Sequence, residues 1–144
     1  MANKKTIKTG SGERLLPESA YVTYPPTQEE LNWRAWSETL SLEALVEKVA
    51  QAQERRVRAM RAAGPVWLAL RAAIKETDAD TERLCRLDEE ADLLGQEVTD
   101  ADADCHHAFH ALRHAAEERF GLLPAEVEEY HTEGFKRAKE RAAA

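Results

Sequence analysis

The side chains best suited to chemistry crowd into one stretch, Asp100-Ala-Asp-Ala-Asp-Cys-His-His-Ala-Phe-His-Ala-Leu-Arg-His114. It holds four of the five histidines, one of the two cysteines and three carboxylates. Imidazole, thiolate and carboxylate ligate transition metals, so a metal centre in 105–114 is the first chemistry to weigh. The stretch has helical sequence, and at about 100° per residue His107, His110 and His114 fall within about 60° of one another. Cys105, Phe109, Leu112 and Ala116 fall on the opposite side, the expected core face. The histidines are therefore expected as a stripe on a polar face. A metal site built from His107, His110 and His114 stands as the alternative. Interior dinuclear sites in helical bundles use Glu-x-x-His pairs on two helices. This chain has one such pair, Glu128 with His131. His131 shares a side with Val127 and Phe135 and reads as a hydrogen-bonded core histidine.

Other chemistries find no motif. Gly10, Gly12, Gly64, Gly95, Gly121 and Gly134 are scattered and make no P-loop, GxGxxG or GxSxG. Neither cysteine has a base-flanked, nucleophilic context. A helix start near Cys105 would lower its pKa, while Asp102 and Asp104 would raise it. No catalytic residue, no cofactor and no enzymatic activity are expected.

The elements that must position these residues are helical. Thr27 and Glu30 form a Thr-x-x-Glu capping box, predicting a helix over 28–39 with Trp33 and Trp36 on one face. Thr39 or Ser41 can cap a second helix carrying Leu42, Leu45, Val46, Val49, Val57 and Met60, which Gly64-Pro65 should end. A third runs from about 66 to 98, with a kink or break expected at Thr77–Thr81. Thr99 or Asp100 caps a fourth, which reaches Phe120 and stops at Gly121, and Pro124 opens a last helix over 124–142. Leu84, Leu94, Phe109 and Leu112 are expected to be buried, and Trp33, Trp36 and Trp67 to cluster where helices cross. The predicted class is all-α, an antiparallel hairpin or bundle of four to five helices with an extended N-terminal arm.

The 144 residues suit a single helical domain over 27–144 preceded by the arm, 1–26. The arm holds three of the five prolines and lacks helical periodicity, yet carries Leu15, Leu16, Tyr21, Val22 and Tyr24. Such a segment docks on its own bundle or on another subunit. No apolar core follows Lys4, Lys5 and Lys8, so no secretory signal is expected, and the longest apolar run is far short of a membrane span. Two cysteines are too few for a disulfide scaffold and suggest reduced thiols in the cytoplasm.

Charge is divided unevenly. The net charge is −7, with a balance of +4 over residues 1–75 and −11 over 76–144. Base is densest at Arg55, Arg56, Arg58 and Arg61, and acid from Glu76 to Asp104. Either these are solvated faces and internal pairs, or the basic segment meets an acidic surface in an assembly. Arg55, Arg58 and Arg61, with Leu15, Leu16, Tyr21 and Tyr24, are the candidate partner-binding residues. The expected partners are other protein subunits, a second copy included. Nucleic acid is thinly supported by four arginines without an aromatic platform, and no membrane is expected. The reading is a non-enzymatic structural or adaptor subunit of a larger assembly, a virion component or a small subunit of a multi-subunit, even nucleoprotein, complex. Its alternative is a helical metal-binding protein using 105–114.

Overall fold

The computed structural model describes residues 6–9, 12–15, 25–76, 78 and 80–144. Within the N-terminal segment, β1 (Thr6–Thr9) pairs antiparallel with β2 (Gly12–Leu15), Thr6 opposite Leu15. From residue 27 onward the fold is all-α. Four helices follow: α1 (Gln28–Thr39), α2 (Leu42–Ile74), α3 (Thr81–His114) and α4 (Pro124–Ala143).

The caps act where their chemistry predicts. The Glu30 amide donates to Thr27 Oγ1 at 3.2 Å, and the Ala44 amide to Ser41 Oγ at 3.1 Å. Each satisfies one donor that a helix start leaves unpaired. Gly121 takes φ +60°, and the Leu122 amide reaches back to the Ala116 carbonyl at 2.9 Å, closing the long helix. Pro124 opens α4, and Glu126 accepts from the Leu123 amide at 3.3 Å.

Two expected breaks are absent. Gly64-Pro65 lies inside α2, which continues for nine residues beyond Pro65 to Ile74. The clash that bars helix before proline involves the preceding Cβ, and Gly64 has none. The larger reason is packing. Leu45, Val49, Ala52, Arg56, Ala59, Ala63, Val66, Leu70 and Ala73 step by four and three along α2, and none is exposed. This seam crosses residue 65 without a change of phase, so burial on both sides outweighs the one hydrogen bond proline removes. Likewise α3 runs straight through 99–100. Thr99 Oγ1 donates to the Gly95 carbonyl at 3.0 Å, and Asp100 accepts from Gln96 at 2.9 Å. Both side chains serve the helix interior and cap nothing. The break expected at Thr77–Thr81 is present: α2 ends at Ile74 and α3 begins at Thr81, where the Glu82 amide donates to Asp80 Oδ1 at 3.0 Å.

The matching seam on α3 is Leu84, Leu87, Ala91, Leu94, Val98, Ala101, Cys105, Ala108 and Leu112, again with none exposed. Steps of three and four on two antiparallel helices are the pattern of a coiled coil. Alanine fills much of both seams, so bulk is scarce. Leu112, Leu45 and Val46 are the largest fully buried apolar side chains, whereas Leu84, Leu94 and Phe109 are only half-buried. The expectation that all four would be buried holds for Leu112 alone.

The two shorter helices cover one half of this hairpin. α1 lays Trp33 and Trp36 on the Leu45–Leu112 cluster. After α3, one π-helical turn (Ala115–Arg119) carries Arg119 to the end of α1, where it donates to the Ser37 and Leu40 carbonyls at 2.8 and 2.7 Å. α4 is clasped to α2 by charge. Arg141 grips Glu47 through both oxygens at 2.5 and 2.8 Å, and Arg137 reaches Glu43 at 2.7 Å. The Arg141 hydrogen bonds hold the Glu47 carboxyl below its usual range, against a smaller opposing effect of burial. Trp67 departs from the expected tryptophan cluster; it lies on α2 beyond the reach of α4 and is exposed.

Candidate functional site

The Cys/His-rich stretch does not converge. His107 faces one cleft of about 250 Å³ beside Trp36, Arg55 and Asp104. Cys105, His106 and His110 line another, of about 570 Å³, with Arg56, Asp102 and Phe135. His110 and His114 pack against Trp33, ring centroids 6.0 and 6.1 Å away. Among the described residues, no three His, Cys, Asp or Glu side chains lie close enough together to hold a metal ion. The stripe that the helical wheel draws is thus divided by the helices packed beside it. α1 takes His110 and His114 as aromatic neighbours of Trp33.

Cys105 falls in mid-helix, so the helix start that would have activated its thiol is not there. Burial pushes the thiol up to about 11, with Asp102 and Asp104 adding to the rise and Arg56 opposing it. Its Sγ donates to Gln53 Oε1 at 3.5 Å. Since the thiolate is the reactive form, Cys105 is expected to react with a disulfide reagent at least about tenfold slower than exposed Cys85 near pH 8. In denaturant the two rates should converge. Equal rates in the folded protein would place Cys105 at the surface.

His131 is 3% exposed and stacks on Phe109 at 3.6 Å, and its Nε2 has no hydrogen-bond partner. Burial lowers its pKa below 6.5, opposed by Glu128 and by the Phe109 backbone, and reinforced by Arg113. The unfolded chain therefore binds a proton that the fold refuses, so stability rises with pH across this titration. This contribution is complete above about 6.5 and is lost as pH falls below it. Melting temperature is expected to drop between about pH 7 and 5, with a shallower drop in His131→Phe. Parallel profiles for the two proteins would show that His131 does not couple to folding.

The arginine cluster is engaged within the chain. Arg55 chelates Glu97 at 2.8 and 3.0 Å and also meets Asp104, across the seam on α3. Hydrogen bonds that Arg55 donates to Glu97, then to Asp104, raise its pKa, and Glu97 is lowered in return. Arg56 Nε lies 3.0 Å from Asp102, out of line for a hydrogen bond. Arg58 binds Glu54 and the Arg141 carbonyl, and Arg61 binds the Ala142 carbonyl. Much of the basic-to-acidic asymmetry is thus one helix pairing with its neighbour. Of the candidate arm residues, Leu15 ends β2, and Leu16, Tyr21 and Tyr24 lie outside the described residues.

What the sequence did not signal is the outer half of the α2–α3 hairpin. Here large apolar side chains face solvent: Met60 (45% exposed), Trp67 (38%), Leu68 (64%) and Ile74 (66%) on α2, and Leu93 (75%) on α3. Met60, expected on the apolar face with Val46, Val49 and Val57, is exposed instead, because the coiled-coil seam runs through Ala59 and Ala63 beside it. A second four-and-three register, offset from the seam, was the signal available. Among the described residues no helix is long and apolar enough to cross a membrane. Compared with protein-family models, curated proteins and solved structures, the chain matches none.

Proposed function

We propose that the chain is a non-enzymatic structural or adaptor subunit of a larger assembly, acting through protein–protein contacts from a helical bundle. The observation that carries this reading is the exposed apolar row of the outer hairpin, Met60, Trp67 and Ile74, seven residues apart on one face of α2. Contiguous exposed apolar surface is characteristic of interaction sites, and single scattered residues are not. The N-terminal segment, bearing Leu15, Leu16, Tyr21 and Tyr24, supplies a second contact. Arg58 and Arg61 contribute at the margin, whereas Arg55 is committed to Glu97 and Asp104. Protein is favoured over nucleic acid as partner because the densest arginines already meet carboxylates and carbonyls of this chain. Free thiols at Cys85 and Cys105 fit a reducing, cytoplasmic setting.

Native mass spectrometry of the protein recovered under mild conditions tests this. The expected result is a complex of defined stoichiometry larger than one chain. Trp67→Glu should release the single chain and leave the circular dichroism unchanged. Recovery of the unmodified protein only as a single chain, with neither a second copy nor any other protein bound, would overturn the reading.

A further inference from the structure

The groove between α2 and α3 is filled at one end and open at the other. α4 occupies the filled end, where Phe135 and His131 meet Phe109 and where a Cβ at Gly134 would lie 2.8 Å from Val49. Its last contact along α2 is with Arg61. Every seventh residue from buried Val46 continues the same face of α2: Gln53, Met60, Trp67 and Ile74. With Gly64 and Arg71, the outer part of this face again steps by four and three. That is the spacing which receives another helix.

Charge identifies which helix fits. Residues 60–75 carry three cations and no acid, while on α3 Asp88 continues the groove-side row of Phe109, Asp102 and Gly95 by sevens, with Asp92 one turn on. Among the described residues Arg71, Lys75, Asp88 and Asp92 form no ion pair. The open groove therefore has an apolar wall on α2 and an acidic wall on α3. It calls for a helix with an apolar row, cationic margins and no carboxylates. The outer half of α2 is itself such a helix. A surface that carries both complementary parts can pair with its own copy about a two-fold axis. Gly64 and Gly95 leave room there, since a Cβ at either would meet nothing within 4 Å.

We propose that a second copy of this chain docks on the outer hairpin. The Met60–Trp67–Ile74 row of each copy seats in the other's groove, and Arg71 and Lys75 meet Asp88 and Asp92 across the two-fold axis. This rests on the contact role proposed above and names its partner.

Sedimentation equilibrium of the full chain, over a concentration series at low and high salt, tests the pairing. The expected result is a reversible dimer whose Kd rises with salt, because these charges are exposed. Trp67→Gln with Ile74→Gln should give a monomer with unchanged circular dichroism that melts as the highly diluted unmodified chain does. Arg71→Glu alone, and Asp88→Lys with Asp92→Lys, should each raise Kd about tenfold or more. Combining all three changes should restore much of the affinity. The charge variants alter exposed side chains only, so they decide the matter even where the apolar double variant folds poorly. A monomer at all concentrations, or a dimer indifferent to every variant, overturns the proposal. Should the same face instead bind a different protein, the second-copy inference fails while the contact role stands. A monomer that binds nothing through this face sinks both.

Discussion

Leu112→Ala is expected to destabilise the fold by about 2–5 kcal/mol, the range for leucine truncation in a packed core. Leu112 is fully buried on α3, in a cluster with Leu45, Val46 and Val49 that Trp33 and Trp36 partly cover. Most of the other buried positions in that cluster are alanines, which leave little to repack into the space vacated. The loss should therefore approach the upper part of the range. Denaturant midpoints at constant slope measure it, with Leu93→Ala as the control. Leu93 stands on the same helix but is largely exposed, so its truncation should fall within about 0.5 kcal/mol of zero. Similar midpoints for the two variants would mean that the seam has been drawn on the wrong side of α3.

The second large effect is expected at a residue with no side chain. Gly134 lets α4 approach α2 so closely that an added Cβ would lie 2.8 Å from Val49 Cγ1 and 3.4 Å from the Val46 carbonyl oxygen. Val49 is β-branched and buried, so it has few rotamers into which to retreat. Overpacking of this kind costs about 1–3 kcal/mol. Alanine's better helix propensity offsets at most about 1 kcal/mol of that. Gly134→Ala should therefore lower the thermal midpoint, and Val49→Ala in the same chain should recover part of the loss as a coupling energy. Gly95→Ala, where the space within one chain is open, should instead raise the midpoint of the highly diluted chain, since only propensity acts there. A stabilising Gly134→Ala would contradict the close contact of α2 with α4.

Local signals of the fold were legible where local chemistry decides. The cap at Thr27, the stop at Gly121 and the opening at Pro124 each depend on a few adjacent residues, and α1 spans the predicted 28–39. At Gly64-Pro65 and Thr99-Asp100 local propensity is overruled by burial against a partner helix distant in the chain, which adjacent residues do not reveal. Gln53 and Cys105, for example, meet across a sequence separation of 52. Seam and outer row were hard to separate in the sequence because both step by three and four. Their difference is a rotation of one residue, from Ala59 to Met60. The arginine cluster was visible as charge, but its partners Glu97, Asp102 and Asp104 depend on the antiparallel register of α2 against α3. Arg119 carried no sequence signal at all, since only the π-helical turn brings it to the end of α1.

The outer hairpin has two helices where the inner half has more, so it should open more readily and exchange its amides faster. Covering it is then expected to slow exchange there most. Amide hydrogen exchange, compared between the highly diluted chain and the assembled protein, tests the contact role directly. Residues 60–74 and 81–98 should slow by about tenfold or more on assembly, while the already covered segments 42–56 and 101–115 change little. Identical exchange in the two states across 60–98, or slowing confined to α1 and α4, would contradict it.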